Sequence, residues 1–347
     1  MGSCLGLPEE IHGSKTQVFS FVRDRLQKRV NGWTSKFLSK GGKEVLINFV
    51  AQTLPTYVMS CFLLPKGSRS KLSSAIAICW WKTRKESKDI HWIAWDKLCT
   101  PFSDGGLEFG TLEEFNLALL AKQLWRLIRF PKPLLSRVLK GRYFRYSDPI
   151  HIGKASCPSF GWRSIMAAKP LLLSVLRRTI GSGRLTHVWQ DPWIPSVPTR
   201  PAKSILNIRN PHLYVNDLID PVTKFWKLYS LQALVDSSDI PLILGIRPSR
   251  TYKSDGYSWS YTKSGKYTMN SSYWPARDLS RPTCDPPFQG PSVSPLQAQV
   301  WKIKTTQKFK HFAWKCLSGC LTINQRLFTV ILAPKKGALD VERRKNQ

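Results

Sequence analysis

The sequence predicts an α+β protein, mainly helical in its N-terminal half and built from helices plus β-hairpins in its C-terminal half. Three observations lead there. Apolar residues recur four apart, as in Val18, Val22, Leu26 and Val30, a spacing that stacks them on one helix face. After residue 175, short β-prone runs flank glycine turns, which is the pattern of hairpins. Prolines crowd residues 275–295, where Pro275, Pro282, Pro286, Pro287, Pro291 and Pro295 read as a linker.

Taken in order, Ser14 is placed to cap the first helix, whose other faces carry Arg23, Arg25, Lys28 and Arg29. Gly41-Gly42 is expected to break the chain before a longer helix. That helix includes Val45 to Leu64, twenty residues without a charge. The length would allow a membrane span. Asn48, Gln52, Thr56 and Ser60 instead draw a polar stripe, and Pro55 interrupts the helix midway, so the stretch reads as an amphipathic, kinked hairpin packed on protein. A further helix carries Leu72, Ile76, Cys79 and Trp80. Asp104-Gly105-Gly106 signals a turn, and Thr111 with Glu114 forms a capping box that opens a strongly apolar helix ending before Pro131 and Pro133. Trp92, Trp95 and Trp125 fit packing better than a cofactor box. Leu176–Ile180 and Leu185–Trp189 around Gly181-Ser182-Gly183 form one predicted hairpin. Tyr257, Trp259 and Tyr261 before Lys263-Ser264-Gly265, with Tyr267 and Met269 after it, form a second.

Several stretches resemble the region that follows the polymerase palm in plant LINE-type (non-LTR) retrotransposon reverse transcriptases. They are RVNGW, LSKGGKEVLI, AQTLPTYVMSCFLLP, the run from Ile90 to Ile128, GSGRLTHVWQDPWIP and YTKSGKYTMNSSY. VWKIKTTQKFKHFAWKCLSGCLTINQRL resembles the helix that opens the reverse transcriptase zinc-binding domain. The resemblance implies a palm exit and thumb-like helical subdomain at 1–88 and a helical connector at 89–175. A hairpin-containing region at 176–274 follows, then the linker at 275–295 and a truncated zinc-binding-like helix with a basic tail at 296–347. It also implies that the palm would precede Met1 and that the chain is the family's middle and lower region.

The resemblance does not carry a catalytic role over. Nucleotidyl transfer needs carboxylates that hold two metal ions, and reverse transcriptases place two of them in an Asp-Asp pair. No adjacent Asp-Asp occurs, and the acidic doublets are Glu9-Glu10 and Glu113-Glu114. The chain is expected not to be an enzyme, unless a palm domain acts in trans, and no cofactor is expected. The family's zinc domain continues into a Cys-x-x-Cys pair, yet no Cys or His follows Cys320. His311, Cys316 and Cys320 lack a fourth ligand, so no metal site is expected. No P-loop, G-x-S-x-G or His-Glu-x-x-His is present, and the glycine turns read as hairpin turns rather than phosphate cradles.

Charge is the strongest bulk signal. The chain has 53 Lys+Arg against 22 Asp+Glu, a formal net charge of +31. Such an excess favours polyanions through counterion release. The expected partner is RNA or single-stranded DNA, bound without sequence preference. The best candidate is RVLKGRYFRY, where Arg137, Lys140, Arg142 and Arg145 would meet phosphates and Tyr143 would stack a base. The competing reading makes Leu135, Val138 and Leu139 core, with the cations on a solvated face; a relic interaction fragment without a nucleic-acid role is the corresponding alternative function. The start MGSCLGLPEE has no signal-peptide pattern, Gly6 departs from the myristoylation pattern, and the scattered cysteines read as reduced thiols. An intracellular protein, nuclear or cytoplasmic and not secreted, is expected.

Overall fold

The computed structural model describes residues 3–4, 7–8, 13–34, 38–82, 90–146, 148–150, 152, 155–205, 210–249, 251, 253–280 and 293–321. In chain order the elements begin with strands β1 (Ser3–Cys4) and β2 (Leu7–Pro8), an antiparallel pair. Helices α1 (Lys15–Val18), α2 (Ser20–Thr34) and α3 (Lys40–Leu46) come next, and a π-helical turn at Ile47–Ala51 continues α3. Then come α4 (Thr56–Cys61), α5 (Lys66–Trp81), α6 (Trp95–Leu98), α7 (Leu112–Arg129) and α8 (Leu134–Tyr143). Helices α9 (Phe160–Ala167) and α10 (Lys169–Val175) lead into strand β3 (Leu176–Thr179). The chain continues with α11 (Leu228–Leu234), α12 (Ile240–Leu244) and strand β4 (Gly256–Trp259). It closes with α13 (Met269–Ser280), α14 (Ser294–Lys302) and α15 (Gln307–Leu317). The fold class is α+β, and no described helix is long and apolar enough to cross a membrane.

Two compact units form, each from three separate stretches. The first takes Met1–Leu26, Gln52–Leu72 and Gly110–Pro286; the second takes Gln27–Ala51, Ser73–Phe109 and Pro287–Gln347. A serial division of the chain follows composition and turns, which do not register that α4 packs on α7 fifty residues later.

In the first unit α7 is the central helix, with Leu120, Leu124 and Trp125 buried among residues of α9, α10 and β4. Buried Asn116 ties α4 to it. Its Oδ1 accepts from the Leu64 N–H at 2.9 Å, and its Nδ2 donates to Met59 O at 2.8 Å and Phe62 O at 3.0 Å, carbonyls that the end of α4 leaves without helical partners. Thr111 is the N-cap of α7, but its side chain makes no cap bond, contrary to the expected capping box. Its N–H donates instead to the Tyr273 hydroxyl at 2.9 Å. The helix expected to carry Val18, Val22, Leu26 and Val30 is split at Phe19 into α1 and α2, and Ser14 stands at the N-cap of α1 without a side-chain cap bond, yet all four residues are buried. The interruption at Pro55 also holds, since Pro55 is the N-cap of α4. Gly41 and Gly42 do not break the chain; they lie in the first turn of α3, where the Ser39 hydroxyl accepts from the Gly42 N–H at 3.2 Å.

The two expected hairpins are corrected. Leu176–Thr179 does not pair with the run after Gly183, and Tyr257–Trp259 does not pair with the run after Gly265. The two upstream strands pair with each other, β3 antiparallel to β4, with Arg178 opposite Tyr257. What fills the Gly181-Ser182-Gly183 loop explains why. Buried Asp255 precedes β4 and accepts from the N–H groups of Gly181 at 2.7 Å, Gly183 at 2.8 Å and Leu185 at 2.9 Å. The Thr186 hydroxyl adds a fourth bond at 2.9 Å. The loop is thus an anion cradle whose anion is the protein's own carboxylate. Glycine is needed there: a Cβ on Gly181 would lie 2.0 Å from Lys253 O, and Gly183 has φ +75°. Beyond the loop a second apolar core gathers Val188, Trp193, Val215, Leu218, Leu231 and Ile243. Asp191 accepts from the His187 N–H at 2.7 Å, and Trp193 Nε1 donates to Val188 O at 3.0 Å.

The expected linker at 275–295 is also corrected at both edges. Helix α13 continues through Pro275 to Ser280, and α14 starts at Ser294 with Pro295 in its first turn, where a missing N–H breaks no helical bond. Residues 281–292 lie outside the described residues.

In the second unit the core includes Ile47, Trp80, Leu98, Phe109 and Trp314. Trp80 meets Phe109 edge-on at 5.1 Å, Trp95 stacks on Phe109 at 5.1 Å, and Trp314 Nε1 donates to Gly105 O at 2.7 Å. Of Trp92, Trp95 and Trp125, expected to serve packing, Trp95 stacks on Phe109 and, in the first unit, Trp125 meets Trp259 edge-on at 6.2 Å, while Trp92 is half-buried.

Candidate nucleic-acid interface

Helix α8 follows α7 after a break set by Pro131 and Pro133, the latter standing at its N-cap with ψ 150°. Proline favours this place because it cannot prolong α7 and its fixed φ suits a helix start. Ser136, buried, donates its hydroxyl to Phe130 O at 2.8 Å and so satisfies a carbonyl at the end of α7. Leu139 and Tyr143 pack against the first unit's core. Ser136, Leu139 and Tyr143, three and four apart, therefore define the inner face.

The remaining faces point to solvent. Arg137, Lys140 and Arg142 are exposed along the helix, and Arg145 is exposed just beyond it. None of these four cations makes an ion pair among the described residues. Leu134, Leu135 and Val138 are exposed as well, at 73%, 50% and 56%. The competing expectation that Leu135, Val138 and Leu139 are core does not hold: only Leu139 is partly buried.

Tyr143 is placed differently from the base-stacking role expected of it. Its ring already stacks on Trp162, with centroids 4.6 Å apart and planes at 10°. Its hydroxyl accepts from the Ser159 N–H at 3.0 Å, and the Arg142 guanidinium sits 5.5 Å from the ring centroid. Tyr146 has the exposure that stacking requires: it is 91% exposed, with the Arg145 guanidinium 5.6 Å from its centroid. The sequence offered both tyrosines. What separates them is the phase of α8, because Tyr143 falls on the inner face and Tyr146 lies past the helix end.

The weak zinc candidates do not assemble. His311 Nε2 lies 2.8 Å from Glu44 Oε2, Cys316 is exposed, and Cys320 is buried with its thiol 3.6 Å from Ser318 O. Among the described residues no three His, Cys, Asp or Glu side chains are grouped to hold a metal ion. The region after 321 lies outside the described residues.

No family model matches the chain, and no solved structure matches it. Over 142 residues, 41% of this chain, it is 48% identical to the "Uncharacterized mitochondrial protein AtMg00310" of Arabidopsis thaliana and covers 92% of that protein. Over 316 residues, 85% of this chain, it is 25% identical to the "Putative ribonuclease H protein At1g65750" of the same plant. The chain spans 47% of that second protein's length.

Proposed function

We propose, given that this chain belongs to the same family as the mitochondrial protein AtMg00310 of Arabidopsis thaliana, that it is a non-catalytic region of a retrotransposon reverse transcriptase-like protein that binds single-stranded RNA or DNA without sequence preference. The observation that carries the binding is the α8 strip. Arg137, Lys140, Arg142 and Arg145 are exposed and make no ion pair among the described residues, and Arg145 sits over the exposed ring of Tyr146. Cations neutralise phosphates, and an aromatic face accepts any base. A non-catalytic role follows from the lack of an adjacent Asp-Asp pair; a palm domain supplied in trans would be needed for polymerisation. We place the protein inside the cell, in nucleus or cytoplasm; among the described residues the cysteines at 61, 79, 99, 157, 316 and 320 form no disulfide, which fits a reducing compartment. Imaging a tagged chain against nuclear and mitochondrial markers tests that placement.

The function itself is tested on two columns of equal charge density, one carrying single-stranded nucleic acid and one polyglutamate. Retention on nucleic acid at salt concentrations that empty the polyglutamate column is expected, together with no primer extension on any template. Equal elution from both columns would remove the nucleic-acid reading. Template-dependent synthesis lost on changing an acidic residue of this chain would remove the non-catalytic one. One observation favours a second reading, an interaction fragment: Phe130, Leu134, Leu135 and Val138 are all at least half exposed at or near α8, a combination seen on surfaces that dock protein. Equal elution from the two columns is what that reading predicts.

A further inference from the structure

The second unit holds a groove of about 700 Å³, lined by α3 with its π-helical continuation and by α15. That volume lies within the roughly 300–1,000 Å³ of small-ligand sites. Positions 45, 48 and 49 line it from the first helix and 308, 312 and 315 from the second, each set at helical spacing. At its base Glu44 is matched twice. Its Oε2 accepts from Gln307 Nε2 at 3.0 Å and lies 2.8 Å from His311 Nε2.

The lining combines three properties. Large apolar side chains stand open to solvent: Phe49 is 73% exposed, Phe312 58% and Val45 53%. Of the three lysines in the lining, Lys40 donates to the Trp80 carbonyl, Lys308 is exposed and Lys315 is half-buried, and burial pushes the Lys315 ammonium below its ordinary value. Among the described residues of the lining Glu44 is the one carboxylate, already committed to Gln307 and His311. A bound anion would offset what burial takes from Lys315. Flat exposed rings beside Lys308 and Lys315, which make no ion pair among the described residues, are suited to a base and its phosphates.

We propose that this groove is a second contact for single-stranded nucleic acid, with a base against Phe312 and Phe49 and the flanking phosphates at Lys308 and Lys315. The proposal rests on the reading of the chain as a nucleic-acid binder. An apolar, acidic peptide has related chemistry and is an outcome of the test. The +31 charge of the whole chain favours the polyanion.

The test uses the full chain and a labelled oligouridylate carrying 5-iodouridine. Three variants are compared with the parent: Phe49→Ala with Phe312→Ala, Lys308→Glu with Lys315→Glu, and the reversal of Arg137, Lys140 and Arg142 to Glu. The phenylalanine pair should weaken binding about tenfold at every salt concentration. The lysine pair should flatten the salt slope by about 1.4 units, roughly 0.7 for each phosphate. Photocross-links should map to peptides containing Phe49 or Phe312. If the parent binds and the α8 reversal weakens it, yet the groove variants behave like the parent and no cross-link reaches these peptides, the groove proposal fails and the function stands. If the parent does not bind at all, the function fails and the groove with it. A glutamate-leucine helical peptide whose binding is lost in the groove variants, while oligouridylate binding is unchanged in them, would assign the groove to protein.

Discussion

Asp255 shows how one side chain can decide a fold locally. Three backbone N–H groups and a hydroxyl converge on its two oxygens in a buried site. Asp255→Ala strands those donors away from water, and each stranded donor costs about 1–3 kcal/mol. Loss of at least ~3 kcal/mol of stability is expected in chemical denaturation, with oligonucleotide binding by the fraction still folded unchanged. Glu44 makes a pH-dependent contribution. Burial alone would raise its carboxyl, but hydrogen bonds from His311 and Gln307 outweigh burial and hold it below its ordinary value of 4.5. A group with a depressed folded pKa stabilises fully above its unfolded value and loses that contribution as pH falls through the folded value. Glu44→Gln should therefore be less stable than the parent near neutral pH, by about 1.5 kcal/mol. The gap should close as the solution is acidified below 4.5. Urea titrations of both proteins across that range check it, and a gap independent of pH would contradict it. Neither contact was visible in the sequence, because the partners are separated by some seventy residues in one case and more than two hundred and sixty in the other.

At the scale of elements, helices were far more legible than strand pairings. Val18, Val22, Leu26 and Val30 are buried as their spacing requires, because helical periodicity is a property of neighbours. Alternation marked Tyr257 and Trp259 as strand but could not name the partner, since β3 lies about eighty residues upstream. Helix α8 was legible as a basic strip, yet which of its aromatics faces outward depends on how the helix docks. Two variants separate the roles. Tyr143→Ala removes the stack on Trp162 and the hydroxyl that accepts from Ser159, so it should lower stability by about 3 kcal/mol. Tyr146→Ala should leave stability unchanged and weaken single-strand binding by about 1–3 kcal/mol at every salt concentration. Thermal melting and fluorescence anisotropy measured on the same samples check both. If Tyr146→Ala binds like the parent, the ring stacks no base.

For the whole molecule the question is whether +31 charges act as a diffuse cloud or through defined contacts. A diffuse surface attracts any polyanion, and reversing a few charges on it changes little. A defined strip releases counterions at particular phosphates, so its removal changes the number of ions released. The direct measurement is the dependence of single-strand affinity on salt for the parent and for the variant carrying Arg137→Glu, Lys140→Glu and Arg142→Glu, with circular dichroism confirming equal helix content. Each phosphate contact adds roughly 0.7 to the slope of log K against log salt, so the variant should be flatter by about two units. An unchanged slope would contradict it and leave α8 a solvated face.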